Sequence, residues 1–466
     1  MKTSKTNTPS TGKVRRDALG GQRGDGHRRV RRIRPPDPAT VRRGDADPAL
    51  TGVAGLPRFG TFMRELGVHR DLKRLFWRLK SGPMVVYPME AQLQLLLYSN
   101  VVGEHRVFGL EALAADPLFV KLAGGVVPSL DTVYRDLCRF DDDAIADLDR
   151  LLGRYAMPKS IRKHEVVHLD IDSTVEPLFG CQEGAEPGPN PRYHGRPSYH
   201  PLVARVAETK AFVGAELRRG DTSFGAADEL AVSQWVERVR APLRPEQRLY
   251  VRIDAAGDCA EILAAINVRK AFFVVKPRLT SDLLRAIRDT VRWTTVDHDA
   301  NGKPVRQVAV VDFKRDTWMR AEVPVRVVAV RTREPGAGRQ VFLWDDLDYS
   351  IKAYLTNDFA SDPDDIARRY EDRAGIEPMI GEAKSAWGIG AVPSATFIAN
   401  HAMLLLKLLA HNLVRLFVVT VAPALSSWSI AWLRRALICI PGRLVRSARS
   451  TWLRLPVQSW LCRLQL

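Results

Sequence analysis

Three carboxylates in this 466-residue chain stand where backbone elements would present them, and the chemistry they suit is metal-assisted phosphoryl transfer. Asp172 closes a β-branched run (Val166, Val167, Leu169, Ile171), and Asp254 closes a second one, Leu249–Ile253, 82 residues later. Glu377 follows after another 123 residues. Two aspartates and a glutamate on separate elements can bind two Mg²⁺ ions about 3.5–4 Å apart. Such ions activate a water or a 3′-hydroxyl and stabilise the leaving oxygen of an in-line displacement. Mg²⁺ prefers oxygen donors, so carboxylates fit it, and Mn²⁺ can substitute. A single strand-end aspartate often only caps a turn. The joint order strand-Asp, strand-Asp, helix-Glu favours the metal site.

The helix carrying Glu377 should begin at Asp362-Pro363, with Asp364 and Asp365 in its first turn. Counting about 100° per residue from Tyr370 puts Arg373 near 300°, Glu377 near 340° and Lys384 near 320°. One narrow face of Tyr, Arg, Glu and Lys then looks at the two aspartates, with Arg373 and Lys384 placed to meet phosphate. A second motif, His164-Glu165-Val166-Val167-His168, matches the H-E-x-x-H zinc pattern. That pattern needs a helix, and here it enters a strand, where the two imidazoles would lie about 13 Å apart. Zinc proteolysis is therefore set aside.

Charge says where a polyanion could sit. The chain has 70 Lys+Arg against 53 Asp+Glu, a net of +17. Residues 1–43 carry +10, residues 383–466 carry another +10 without a single acid, and the stretch between is left at −3. A near-neutral body with two basic ends points to nucleic acid. Five cysteines, Cys138, Cys181, Cys259, Cys439 and Cys462, show no CxxC spacing and fit a reducing compartment. The apolar stretch Ala402 to Leu425 is broken by Lys407, His411 and Arg415 at four-residue spacing, a basic stripe on an amphipathic helix rather than a membrane span. A soluble, cytoplasmic, nucleoid-associated protein without a membrane partner is expected.

The elements that must hold these residues divide the chain into a flexible basic arm (1–50), a helical DNA-binding domain (51–160), the first part of a catalytic core (161–280), a β-rich insertion (281–358), the second part of the core with the glutamate helix (359–420) and a basic helical tail (421–466). Within the helical domain, Phe119 to Ala123, Gly124-Gly125 and a helix capped by Ser129 and bearing Arg135 and Arg139 read equally as a helix-turn-helix or as a plain helical hairpin. The expected fold class is α/β.

Taken together, Leu169-Asp170-Ile171-Asp172-Ser173-Thr174, the Gly195 to Leu202 stretch, Val251-Arg252-Ile253-Asp254 and the Tyr370-x2-Arg373-x3-Glu377-x6-Lys384 signature resemble a bacterial insertion-sequence DDE transposase. The likeness is to insertion-sequence family thirteen-eighty, in the insertion-sequence-four superfamily. It implies an RNase H-like core, a mixed sheet flanked by helices with a β-rich insertion, and Mg²⁺-dependent cut-and-paste transposition. The partners it implies are terminal inverted repeats, target DNA and a second subunit in a DNA-bound homodimer. It assigns Asp172, Asp254 and Glu377 to metal and catalysis. Arg373 and Lys384 would contact phosphate, and Tyr370 would support a distorted strand end by stacking or hydrogen bonding. Arg135 and Arg139 would bind DNA, and Asp170, His200 and Lys276 are of second rank. Two departures stand out. Asp170 shares a strand face with Asp172, although the Asp-x-Thr form favours Asp172. Pro378 follows Glu377, so either the helix kinks at the site or this copy is impaired. Two rival readings are a domesticated, non-catalytic DNA-binding protein and a nuclease without strand transfer.

Overall fold

The structure is a computed structural model that describes residues 44–188, 194–333, 349–448 and 450–464. The chain divides into a unit ending at Asp47 and a unit running from Pro48 to Leu466, and the second holds the residues of interest. Residues 334–348 of the expected β-rich insertion lie outside the described residues.

A nine-stranded mixed sheet runs through this unit. Its strands are β1 Val166–Ser173, β2 Leu202–Val206, β3 Ala211–Glu216, β4 Arg248–Ile253, β5 Phe272–Val275, β6 Thr294–His298, β7 Pro304–Val311, β8 Arg326–Arg333 and β9 Tyr349–Thr356. They lie in the order β6-β7-β8-β9-β5-β4-β1-β2-β3. β1, β4 and β5 are parallel, and the strands on either side are antiparallel. Strands covered on both faces must be apolar along their length. β1 obeys this from Val167 to Ile171 except at the half-buried His168 and at Asp170, which is fully buried. Registry explains the exception, because Arg205 of β2 and Arg252 of β4 stand directly opposite Asp170.

Eight helices position the rest: α1 Met89–Val102, α2 Leu130–Leu137, α3 Asp142–Arg154, α4 Glu229–Arg240, α5 Ala260–Val268, α6 Pro363–Glu371, α7 Ile376–Trp387 and α8 Phe397–Val421. Trp235 and Val236 of α4 and Ile262 and Leu263 of α5 cover one sheet face. Ile366, Ala367 and Tyr370 of α6 pack on Tyr250, Val328 and Tyr354 on the other. α8 packs against α1, α3 and β3 at the centre of a helical core. The chain is thus a mixed α/β fold with a large mixed sheet flanked by helices.

Three expectations change. The helix from Asp362 is not continuous. α6 ends at Glu371, a 3-10 turn covers Asp372–Gly375, and α7 starts at Ile376. Pro378 supplies the reason, since its ring in a helix interior would clash with the carbonyl four residues earlier. In the first turn of α7 its missing N–H has no partner to lose. The four signature residues therefore do not share one helical face. Second, the stripe Lys407, His411, Arg415 does not face water, being 1%, 0% and 7% exposed. α8 is long and apolar enough to cross a membrane, yet 89% of its most apolar stretch is buried within the protein. Third, the basic tail is not all helical. Gly442–Ser447 and Ser450–Arg454 form an antiparallel hairpin that pairs with Leu50–Thr51.

Candidate active site

Because β1 and β4 are parallel neighbours, Asp172 and Asp254 close them at the same edge of the sheet, the carboxyl end where α/β sheets place ligands. Asp254 caps a 3-10 turn, its carboxylate accepting the Ala256 N–H at 3.0 Å. The Asp172 side chain is 16% exposed. Burial pushes its carboxyl up, and the nearby Asp254 charge adds to that, while Arg373 opposes it.

Asp170 has a different setting. It accepts Arg252 Nε at 2.6 Å and Nη2 at 3.0 Å, and Arg205 lies at 3.8 Å. Both of its neighbouring strands neutralise it, so its charge is spent inside the sheet.

Arg373, in the 3-10 turn, donates to the Ile171 carbonyl at 3.0 Å and pairs with Asp172 at 3.1 Å. It is 7% exposed, and the carboxylates around it raise its pKa further despite burial. Tyr370 is 6% exposed, its ring 5.0 Å from that of Tyr354. The Lys276 ammonium lies 5.4 Å and the Arg373 guanidinium 5.8 Å from the Tyr370 ring centroid. Burial pushes the Tyr370 hydroxyl up to about 12. Glu377 is exposed in the first turn of α7 and borders an open cleft with Lys276, Lys352, Tyr370 and Arg373.

Lys384 does not point into that cleft. It donates to the Val175 carbonyl at 2.9 Å and pairs with Glu176 at 3.1 Å. His200 is buried, its backbone N–H donating to the Arg218 carbonyl and its own carbonyl accepting Arg218 Nε at 2.9 Å. In the helical region Ser129 caps α2 as expected, accepting the Thr132 N–H. Arg135 is exposed, and Arg139 pairs with Asp136 at 2.9 Å. The preceding helix, Pro117–Leu122, is separated from α2 by residues 123–129, a link longer than the usual helix-turn-helix turn. His164 and Glu165 precede β1 and His168 lies in it, with His168 Nδ1 on Glu208 at 2.7 Å.

The family model described as Transposase DDE domain group 1 matches residues 44–461. The chain belongs to the DDE transposase family. No curated protein matches it. Among solved structures it is similar to a piggyBac transposase synaptic complex with hairpin DNA, at 12% identity and a TM-score of 0.38, over 82% of this chain and 79% of that one.

DDE transposases use divalent metal ions, which gives the carboxylates a test. Asp172 and Asp254 are hard oxygen donors, and after burial the Asp254 charge helps push the Asp172 carboxyl up, a repulsion that a dication would relieve. These two fit. Among the described residues no group of three or more His, Cys, Asp or Glu is close enough to hold a metal, so Glu377 is not yet gathered with them.

Two buried charged groups near Lys384 were not among the expected site residues. Glu176, 6% exposed, sits on Lys384 and borders Gly390, where an added Cβ would fall 2.1 Å from its carboxylate. Lys407 donates to the carbonyls of Gly388 and Ala391 at 2.5 and 2.7 Å, closing the C-terminal end of α7. Burial pushes its ammonium down to about 7. A Glu-Pro step four residues after Asp172 was the only local signal of the first. The second was visible as a cation in an apolar run.

Proposed function

We propose that this chain is the transposase of an insertion sequence of family thirteen-eighty, cutting the element's ends in a Mg²⁺-dependent reaction and joining them to target DNA. One observation carries the reading: Asp172 and Asp254 end adjacent parallel strands and repel each other there, with Glu377 on the bordering cleft. The first five strands, in the order β3-β2-β1-β4-β5 with β1, β4 and β5 parallel, support an RNase H-like core, with β6 to β9 as its insertion.

In this reading Asp172 and Asp254 hold the metal, with Glu377 as the third ligand. The bound ions supply an activated hydroxyl and neutralise charge on the leaving oxygen. The chain's own groups do the rest. Arg373 holds Asp172 and the Ile171 carbonyl, and so fixes the strand end against the turn that leads to Glu377. Lys276 and Lys352 line the cleft as cations for a phosphate backbone. Asp170 serves as the internal counter-charge of Arg252. The helical region 51–160, with Arg135 and Arg139, and the basic ends would hold terminal repeats, and two subunits would join two ends. Work in the cytoplasm, at the nucleoid, follows from that substrate.

Incubating the full chain with Mg²⁺ and a DNA fragment bearing the element's end tests this, with Glu377→Ala alongside. Cleavage and joining by the wild type, and neither by the variant, is the expected result. No cleavage by the wild type overturns the enzyme reading, and cleavage without joined product assigns a nuclease instead.

A further inference from the structure

Of the ten cations after Glu382, Lys407, Arg415 and Arg434 are buried, so the positive charge that faces outward lies elsewhere in this segment. The C-terminal hairpin carries a large part of it. Register places Leu444 opposite Leu453, and both pack against the helical core. Side chains alternate along a strand, so the pairs Arg443–Arg454 and Val445–Trp452 occupy the opposite, outward face.

Trp452 and Arg454 both stand exposed on that face. Arginine on an edge strand guards against aggregation, which explains Arg454 alone. It does not explain Trp452, which is 64% exposed beside it on an edge strand. An aromatic face flanked by guanidinium groups is the arrangement that tracks a nucleic-acid strand, stacking on a base and pairing with phosphates.

We propose that the outward face of this hairpin is a DNA-docking surface, with Trp452 stacking on an exposed base or sugar and Arg454 meeting a backbone phosphate. The proposal rests on the transposase reading and specifies where its basic tail engages DNA.

Fluorescence anisotropy with a labelled duplex of the element's end, on the full chain over a salt series, tests it. Trp452→Ala is expected to weaken binding about tenfold, and Trp452→Tyr to restore most of it. Arg454→Gln is expected to lower the slope of log affinity against log salt by about 1. Melting temperatures should be unchanged, because both side chains lie on the outward face. Variants that bind with the wild-type affinity and salt slope, while the wild type binds and cleaves, overturn the hairpin proposal alone. A wild type that binds no DNA overturns the transposase reading and this surface together. Loss of binding with a lowered melting temperature, not rescued by Trp452→Tyr, assigns Trp452 a structural role and also refutes it.

Discussion

Replacing Lys407 with Met should make the stability difference between the two proteins depend on pH, and the sign follows from burial. Lys407 is 1% exposed, and burial pushes its ammonium down to about 7 from the ordinary lysine value of 10.5. Its closest charged influences oppose one another, Glu176 raising the value and Arg106 lowering it. Below pH 7 the lysine is protonated in both folded and unfolded chains, so the cost of burying its charge is present in full and does not vary. Between pH 7 and 10.5 the unfolded chain holds a proton that the folded one has released, so stability rises with pH. One pH unit is worth about 1.4 kcal/mol, and the whole window about 5 kcal/mol. Met removes that cost but leaves the carbonyls of Gly388 and Ala391 without their donor, a loss of about 1–3 kcal/mol. The variant should therefore be the more stable protein at pH 6 and the less stable one at pH 10. Urea unfolding of both proteins at half-unit intervals measures the difference. A difference that stays constant from pH 6 to 10, or that changes in the opposite direction, refutes the reasoning.

Asp172→Asn should abolish cleavage and raise the melting temperature at pH 8 by a few degrees, because the raised carboxyl of Asp172 contributes stability only while protonated and loses it as pH rises; a lower melting temperature at pH 8 contradicts this. Arg252→Met should cost about 3–5 kcal/mol by stranding the buried Asp170 charge. Arg252→Met combined with Asp170→Leu should recover much of it, and a single-variant loss below about 1 kcal/mol in urea unfolding counts against the pairing. A double-mutant cycle of Lys384→Met and Glu176→Gln should give a coupling of about 1 kcal/mol, the low end of the usual range because Lys384 is 36% exposed and water screens it. Additive losses would show the two groups do not interact.

The parts of the site that were legible in the sequence are those written in local patterns. β1 and β4 announce themselves as β-branched runs ending in Asp172 and Asp254, and parallel pairing then brings the two aspartates to one edge. The break before α7 was written as Pro378, but its effect falls on the carbonyl four residues back, so it moved the helix start rather than bending a helix. The spacing of Lys407, His411 and Arg415 was readable as one helical face. Which surroundings that face meets was not, since periodicity carries no information about what packs over it, and here β3, α1 and α3 surround the helix. Glu176 belongs to a two-residue strand without periodicity, and its importance comes from Lys384, far along the chain. The hairpin escaped because arginines interrupt its alternation, hiding Leu444 and Leu453 as inward residues.

Arg373 and Lys384 were expected to act alike, each meeting a phosphate, yet each already faces a carboxylate of its own chain, and the two carboxylates differ in what could replace the cation. Asp172 can exchange Arg373 for a dication, so a move of Arg373 toward DNA leaves no stranded charge. Glu176 is 6% exposed, and its remaining cationic influence, Lys407, is pushed down to about 7, so above that pH it offers little positive charge. Lys384 cannot leave without stranding Glu176. The signature cations should therefore separate by measurement. Arg373→Gln should reduce cleavage and shift the lower limb of its pH profile upward, because the group that holds the Asp172 carboxyl down is gone. Lys384→Gln should leave that limb in place and instead lower the melting temperature. Identical effects of the two variants on profile and stability would show that both serve one function, and the division of roles drawn from their partners would be wrong.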